Sequence, residues 1–446
     1  MRSKSSINQI DVLVSDISAA NNRHVFGITG SGPSLTLADG LERNGVTFVR
    51  THFEGAAGIM AATVGRLTGR AGVAVCIKGP GLSNMVPGLA VASFESFPMV
   101  AICEAYPKDA PLAKAHKRMD HDLLTGAVTK SRRPLSGDGS GYSHSALFAE
   151  TEVPGPVVLE LSGDKDVPPE DNKPTKIKAR DTSSLMRVLE CAKRPVIIAG
   201  SLAVRRGWGD ALSEMHIPVF STVSAKGIID EEAPYAAGVY TGVGLELTPE
   251  YFLLSEADLV IGLGLRPAEL LDTKPFSCPS INIEADQDVP GVDAFKFQSM
   301  ANLVDANSMF EILQAKNWGL DLVEAVVSKL RLRLFDGPFL PAHVFKLLED
   351  TLDRKARIVM DTGYFCTIGE HALRISRADL CLMSAQGRYM GTSLPMAIGA
   401  AIHDPSLSTV VVMGDGGIGP FVGELRIAIE RKLPLLVILM TDGRFG

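Results

Sequence analysis

The chain has 446 residues, which is long for one hydrophobic core and typical of about three domains. Hydrophobic residues make up 46% and charged residues 21%, a balance that indicates a globular protein and excludes general disorder. The formal net charge of -7 argues against the large basic surface that nucleic acid or anionic membranes require, and it favours a small-molecule ligand.

Two further features bear on the cellular location. The amino-terminal segment has no uninterrupted apolar stretch and no cleavage signature, and no later run approaches the length of a membrane span. The six cysteines lie far apart without a CxxC pair, which predicts buried thiols in a reducing compartment. The sequence therefore predicts a cytoplasmic protein without a membrane segment.

The first block, residues 1–165, alternates short apolar runs with helical stretches of small residues. Its strand-like runs are HVFGITGSG, VTFVRTH, AGVAVCIKGPG, PMVAICEA and PGPVVLELS. This alternation predicts a parallel sheet that helices cover on both faces.

Glu54 follows the second of these runs and begins the helical stretch EGAAGIMAATVGRLTGR. A carboxylate at a helix amino terminus complements the helix dipole, a structural role worth about 0.3–1 kcal/mol when exposed. Its flanks are small and apolar, however, so shielding from water could instead equip Glu54 to deliver a proton to a ring nitrogen.

Two glycine-rich turns follow strand-like runs of this block. KGPGLSN by itself indicates only a loop. GITGSG imitates a dinucleotide-binding turn, but it lacks the GxGxxG spacing and a matching acid after the second strand. A nicotinamide-dependent oxidoreductase is therefore a poor alternative.

The rest of the chain repeats the α/β pattern after a charged, proline-containing connector at 165–184. The middle block, 185–320, has the strand-like runs RPVIIAGS, IPVFSTV, ADLVIGLG and PSINIEA. The third block, 336–446, has ARIVMDTG, LCLMSAQG, STVVVMGDGG and LPLLVILMTDG. The predicted fold class is α/β, with three doubly wound parallel-sheet domains.

Asp415 and Asp442 follow the last two of these runs, separated by a glycine-rich turn, a helix and a strand. Parallel strands emerge on the same edge of a sheet, so the two carboxylates should meet where open α/β sheets bind ligands. Carboxylate oxygens suit Mg²⁺, and the glycines around Asp415 let backbone N–H groups approach phosphate. Either Asp-Gly pair alone would more often be ordinary turn chemistry, but their joint placement predicts a Mg²⁺ diphosphate site.

Together these segments resemble the thiamine diphosphate-dependent enzymes of the acetolactate synthase and pyruvate oxidase type. The resemblance spans nearly the whole chain and rests on FGITG, Glu54, KGPGLSN, GPVVLELSGDKDV, KRPVIIAG, ADLVIGLGLRP, GTSLPMAIGAAI and the GDG segment with its Thr-Asp-Gly end. It implies a pyrimidine-binding domain (1–165), a central Rossmann-like domain (185–320) and a diphosphate-binding domain (336–446). Family members continue past the position of Gly446, so the last domain is expected to be incomplete.

The resemblance also implies roles for individual residues. Glu54 would protonate N1′ of the aminopyrimidine, and Met390 would support the bent cofactor. Asp415 and Asp442 would bind Mg²⁺ through their side chains, and Arg444 through its carbonyl. The other positions expected to contact thiamine diphosphate are Thr29, Gly30, Gly79, Pro80, Asn84, Gly363, Gly387, Gly414, Gly416 and Gly417.

The activity that this resemblance implies is decarboxylation of a 2-oxo acid, with aldehyde release or carboligation, by a homodimer or homotetramer whose site lies between subunits. The alternative is a cofactor-binding but inactive subunit or one part of a split enzyme. Asp442, Lys117 and Tyr364-Phe365 depart from the acetolactate synthase branch, so the substrate stays open, and no flavin is predicted. Three histidines are candidates for substrate contact, although core or surface roles are more common: His52, His116 and His121.

Overall fold

The structure, a computed structural model, describes residues 9–107, 110–111, 116–135, 141–161, 183–271, 275–284, 295, 297–300, 303–441 and 443. The strands form three parallel sheets, of six, six and four strands, with helices packed on them. This confirms the predicted α/β class. The chain divides into two compact units, residues 1–174 with 387–445 and residues 175–386 with 446. The three-domain boundaries stay a prediction, and the connector expected at 165–184 lies almost entirely outside the described residues.

The first unit contains the first six-stranded sheet. Its strands are β1 (His24–Gly27), β2 (Thr47–Arg50), β3 (Gly72–Cys76), β4 (Met99–Glu104), β5 (Ser131–Pro134) and β6 (Pro156–Leu161). Its helices are α1 (Gln9–Ala19), α2 (Pro33–Arg43), α3 (Glu54–Thr68), α4 (Pro80–Phe94), α5 (His121–Thr125) and α6 (Tyr142–Glu150). The strands lie in the order β2-β1-β3-β4-β6-β5, and all neighbours are parallel.

The middle strands of this sheet are continuous apolar runs because helices cover both faces. All residues of β3, β4 and β6 are buried. Side chains alternate between the faces of a strand. Val73 and Val75 pack into a cluster with residues of α1, α2 and α6, and α3 and α4 pack against each other.

The first unit also contains the elements that follow residue 387. They are α15 (Ser393–His403), β15 (Thr409–Gly414), α16 (Asp415–Ile418), a 3-10 helix (Gly419–Glu424), α17 (Leu425–Glu430) and β16 (Leu435–Met440). Strands β15 and β16 pair in parallel, with Gly414 opposite Met440. This confirms that the strands before Asp415 and Asp442 are neighbours.

The second unit contains the second six-stranded sheet and two strands of the third sheet. Its strands are β7 (Pro195–Ala199), β8 (Val219–Ser221), β9 (Ala236–Val239), β10 (Leu259–Leu263), β11 (Ser280–Glu284), β12 (Phe297–Met300), β13 (Arg357–Met360) and β14 (Cys381–Met383). Its α-helices are α7 (Ser183–Cys191), α8 (Ser201–Arg205), α9 (Gly209–Ser213), α10 (Pro249–Glu256), α11 (Leu303–Gln314), α12 (Leu320–Leu334), α13 (Pro341–Leu352) and α14 (Tyr364–Ala372), and shorter 3-10 helices are at Val223–Ala225, Pro267–Glu269 and Ala378–Leu380. The second sheet has the order β12-β11-β10-β7-β8-β9.

Every strand-like run singled out in the sequence forms a strand, and three strands escaped prediction: β5, β9 and β12. The sequence of β5 is SRRP, which combines two charged residues with a proline. It is an edge strand, where one side of the backbone stays unpaired and charge and proline are tolerated. The charged sequence of β5 therefore carries no apolar run by which this strand could be recognised.

The structure shows where the cysteines lie and whether a described helix could cross a membrane. Four cysteines are buried as predicted, but Cys191 is exposed and Cys278 is half-buried, so the prediction of buried thiols was wrong for these two. Cys191 is the last residue of α7, whereas Cys76 and Cys103 belong to strands in which every residue is buried. Among the residues that the structure describes, no helix is both long and apolar enough to cross a lipid bilayer.

The crossing of α3 and α4 depends on glycine. A Cβ atom added at Gly88 would lie 2.7 Å from the Cα of Gly58 and 2.8 Å from the carbonyl oxygen of Gly55. Since these neighbours are backbone atoms, they cannot turn away. We expect Gly88→Ala to lower the free energy of unfolding by about 1–3 kcal/mol, despite a helix-propensity gain of about 1 kcal/mol, as measured by urea denaturation.

Gly423→Ala is the matched control for this substitution. A Cβ atom at Gly423 would meet no atom within 4 Å, so the control should change stability by less than about 1 kcal/mol. Equal stability of the two variants would contradict the tight helix crossing.

Candidate cofactor site

The first sheet changes direction between β1 and β3. The chain leaves β1 toward β2 on one side and β3 toward β4 on the other, so the turns after β1 and β3 diverge and leave a crevice at the carboxyl edge. Open α/β sheets bind ligands at such a switch point. Thr29 and Gly30 follow β1, and Gly79 and Pro80 follow β3. The topology therefore brings together two turns that the sequence had singled out separately.

Both turns contain a glycine that has no room for a side chain. A Cβ atom at Gly30 would lie 2.9 Å from Cγ2 of Ile77. Gly79 has a φ of +64°, which favours glycine, and its Cβ atom would lie 2.1 Å from the carbonyl oxygen of Lys117. The backbones of the turns thus lie directly against their neighbours.

Glu54 is the first residue of α3, as predicted, and its side chain is 7% exposed. One carboxylate oxygen accepts a hydrogen bond from the side-chain amide of Asn84, with an N–O distance of 3.0 Å. The other oxygen lies 3.4 Å from the position that a Cβ atom of Gly81 would take. Glu54 is therefore a shielded carboxylate between the starts of α3 and α4, and the amide that donates to it belongs to a predicted site residue, Asn84.

Glu424, which sequence reasoning missed, holds the start of α3. Its carboxylate accepts the backbone N–H of His52 at 3.1 and 3.2 Å. The ring of Phe53 lies 6.1 Å from that of Phe421. Burial raises the pKa of Glu424, although the hydrogen bonds from the backbone of His52 and Phe53 act in the opposite direction. The segment that follows Asp415 thus contacts the residues just before Glu54.

Asp415 begins α16 at the end of β15 and is half-buried. Its Oδ1 accepts the N–H of Gly416 at 2.8 Å, and its Oδ2 accepts the hydroxyl of Thr441 at 2.9 Å. Thr441, another residue missed from the sequence, immediately precedes Asp442. Asp442 and Arg444 lie outside the described residues, so their meeting with Asp415 stays a prediction. Among the described residues, no three His, Cys, Asp or Glu side chains group as metal ligands.

The glycines near Asp415 form a close-packed cradle. Gly391 has a φ of +87°, and its Cβ atom would lie 2.8 Å from the carbonyl oxygen of Gly417. Gly414 precedes α16 in an extended conformation, as a turn from strand to helix requires. Glycine at these positions adds no side chain between the backbone and a ligand, which suits an anion such as a diphosphate.

Gly387 and Met390 lie in the same compact unit as Asp415. The N–H of Gly387 donates to Glu95 at 2.9 Å. Met390 is 54% exposed, so it is not a core methionine. Gly363 belongs to the second unit, where it directly precedes α14.

The candidate histidines have different surroundings. His121 is buried, its Nδ1 lies 2.6 Å from Glu160, and its Nε2 accepts the N–H of Gly79 at 3.3 Å. His121 therefore supports the β3–α4 turn. His52 contacts Glu424 at 3.5 Å, and His116 is exposed.

The second sheet has its own switch point, between β7 and β10. There the carboxylate of Glu269 accepts hydrogen bonds from the N–H of Ser201, at 3.0 and 3.1 Å, and from the hydroxyl of Thr222 at 2.7 Å. Ser201 begins α8, so its N–H is a donor that a bound phosphate would use. In this sheet a side chain of the protein occupies that donor.

The sequence matches three models of thiamine pyrophosphate enzymes. They are the N-terminal TPP binding domain over residues 8–123, the central domain over 182–291 and the C-terminal TPP binding domain over 361–446. The three matches follow one another in the order of the three sequence blocks.

Curated relatives match over most of their length. The acetolactate synthase of Bacillus subtilis is 27% identical, over 95% of this chain and 79% of the relative. The catabolic acetolactate synthase of Raoultella terrigena is 26% identical, over 98% of this chain and 83% of the relative. A probable 2-ketoarginine decarboxylase of Pseudomonas aeruginosa is 29% identical, over 95% of this chain and 80% of the relative. The chain therefore belongs to the thiamine diphosphate-dependent enzymes of the acetolactate synthase and pyruvate oxidase type.

Proposed function

We propose that this chain uses thiamine diphosphate and Mg²⁺ to decarboxylate a 2-oxo acid, and that it then releases an aldehyde or joins the fragment to a second carbonyl compound. The observation that carries the proposal is Glu54, a shielded carboxylate on the first turn of α3 with Asn84 as its donor. When bound, thiamine diphosphate supplies the carbon nucleophile and the electron sink for loss of CO₂.

In this proposal Glu54 holds the proton at N1′ of the aminopyrimidine. Its position between α3 and α4 excludes water, so the proton would pass between the carboxyl group and the ring nitrogen. Asn84 orients the carboxylate through its amide. The turns of Thr29 with Gly30 and of Gly79 with Pro80 would receive the pyrimidine at the switch point.

Asp415 would bind Mg²⁺, with Asp442 and the carbonyl of Arg444 as further ligands. Mg²⁺ prefers carboxylate oxygens as ligands. In the contacts described above, Asp415 accepts hydrogen bonds only from uncharged groups, the N–H of Gly416 and the hydroxyl of Thr441. Gly414, Gly416 and Gly417 would line the diphosphate, although the N–H of Gly416 donates to Oδ1 of Asp415 in the structure. The remaining predicted contacts are Gly363, Gly387 and the exposed Met390, which would support the bent cofactor.

The named relatives include both acetolactate synthases and a probable decarboxylase, so both fates of the decarboxylated fragment belong to the proposal. The resemblance places Lys117 near the substrate, and in this proposal the exposed Lys117, whose backbone lies beside Gly79, would contact the acid. A screen of 2-oxo acids by CO₂ release would identify the substrate. We also propose that the chain forms a homodimer or homotetramer in the cytoplasm, with the site between subunits.

Removal of the proton-holding carboxyl should stop cofactor activation without preventing cofactor binding. We expect Glu54→Gln to slow exchange of the thiazolium C2 proton by about 100-fold or more, since positioned acid–base groups contribute roughly 10²–10⁴-fold. Proton NMR of the bound cofactor in deuterated buffer measures the rate. Glu430→Gln, at a carboxylate that is 58% exposed, is the control and should exchange as the wild type does.

The same assay discriminates the alternatives. If the wild-type chain binds thiamine diphosphate but does not accelerate C2 exchange, it is a cofactor-binding, inactive subunit. If Glu54→Gln exchanges as fast as wild type, Glu54 is not the proton-holding group.

Loss of the metal-binding carboxylate should remove the metal dependence of cofactor binding. We expect Asp415→Asn to weaken Mg²⁺-dependent uptake of thiamine diphosphate by about 100-fold, because weakened support of a metal ligand alone costs about 10–100-fold in metal affinity. Equilibrium dialysis with Mg²⁺ and with a chelator measures this dependence. Asp39→Asn, at a carboxylate that is 66% exposed on α2, should behave as the wild type. Unchanged uptake by Asp415→Asn would remove Asp415 from the metal site.

A further inference from the structure

Glu104 ends β4 beside the switch point of the first sheet. It is 3% exposed. Its Oε1 accepts the backbone N–H of Ser34 at 3.0 Å and the hydroxyl of Ser34 at 2.6 Å. Its Oε2 accepts the ammonium group of Lys78 at 2.9 Å. One carboxylate thus connects the turn before α2 with the turn before α4.

The connection continues to a predicted cofactor contact on each turn. The N–H of Gly30 donates to the hydroxyl of Ser34 at 3.0 Å, and that hydroxyl donates to Glu104. Lys78 is the neighbour of Gly79 along the chain. A chain of hydrogen bonds therefore runs from Gly30 through Ser34 and Glu104 to the β3–α4 turn.

The packing leaves little freedom for this chain. A Cβ atom at Gly32 would lie 3.1 Å from Oε1 of Glu104. Any larger residue there would push the turn away from the carboxylate. The Nζ atom of Lys78 also lies 5.0 Å from the centre of the Tyr106 ring, which holds the lysine from its other side.

The carboxylate remains charged in this environment. Burial acts to raise the pKa of Glu104, but the hydrogen bonds from Ser34 and Lys78 outweigh it, and the pKa lies below its usual value. Hydrogen bonds to a charged group are shorter and about twice as strong as neutral ones. The two turns are therefore fixed by charged contacts, which the mechanism proposed above does not use.

We propose that Glu104 is a positioning residue for thiamine diphosphate, which fixes the separation of the two turns that receive the aminopyrimidine. The inference rests on the proposed function, because it takes Gly30 and Gly79 as cofactor contacts. Glu104 itself touches neither the reacting atoms nor the diphosphate in this role.

Glu104→Gln tests the role with little change of shape. The variant loses the charge and places an amide N–H₂ against Lys78 or Ser34, which are both donors. We expect the Kd of thiamine diphosphate to rise about tenfold and C2 proton exchange at saturating cofactor to fall by up to about 100-fold, the cost of a displacement of about 1 Å. Inorganic diphosphate has no pyrimidine, so its inhibition constant should be the same for Glu104→Gln as for the wild type.

Two further variants separate positioning from general stability. Glu284→Gln removes the charge of a carboxylate that is also 3% exposed and paired with a buried arginine, Arg266, in the second unit. It should lose stability without a change in cofactor Kd or exchange rate. Ser34→Ala keeps the Glu104–Lys78 pair but cuts the link to Gly30, and it should raise the Kd in the same direction as Glu104→Gln.

The outcomes distinguish this inference from the proposed function. If the wild type takes up no thiamine diphosphate, the proposed function fails and the inference fails with it. If the wild type binds while Glu104→Gln and Ser34→Ala bind and exchange normally, only the positioning role is overturned. An equal rise of Kd in Glu284→Gln, or a weaker binding of inorganic diphosphate by Glu104→Gln, would also overturn it. Should Glu104→Gln fail to fold, Ser34→Ala decides the question.

Discussion

The structure depends on one geometric constraint, which is that parallel strands deliver all their carboxyl-end turns to the same edge of a sheet. In the first sheet the order β2-β1-β3-β4 separates the turns after β1 and β3, and the crevice between them is the candidate pyrimidine site. The pairing of β15 with β16 applies the same rule to Asp415 and Thr441. Residues far apart in sequence thus become neighbours at one edge of a sheet.

The two six-stranded sheets use a buried carboxylate at the switch point in different ways. In the first, Glu104 pairs with Lys78 and its pKa is lowered. This charged carboxylate connects the start of α2 with the β3–α4 turn. In the second, Glu269 accepts hydrogen bonds from Ser201 and Thr222, and burial raises its pKa despite them. A buried carboxylate with a cationic partner keeps its charge, whereas one with neutral donors is held closer to protonation. In both sheets a buried glutamate therefore accepts the N–H of a serine at the start of a helix, and in the first sheet this glutamate also pairs with a lysine of the facing turn.

Features that depend on local sequence patterns could be predicted from the sequence. Apolar runs mark strands because buried parallel strands exclude water on both faces, and Glu54 was recognisable because a carboxylate precedes a helix of small residues. Glu104 and Glu424 were not recognisable, because their partners are distant in sequence and only folding brings them together. The edge strand β5 also escaped, since its charged sequence resembles a loop. The position of Glu54 at the start of α3 was thus predictable, and the contacts that support this region were not.

The proposed function requires that the glycine-rich edge beside Asp415 and the switch-point turns bind one cofactor together with a metal ion. Calorimetric titration of the folded chain with thiamine diphosphate, in Mg²⁺ and then after chelation, tests this claim most directly. We expect saturable, stoichiometric binding heat in Mg²⁺ that is lost or strongly weakened by the chelator. Saturable binding that is indifferent to the metal, or no binding in either buffer, would contradict it.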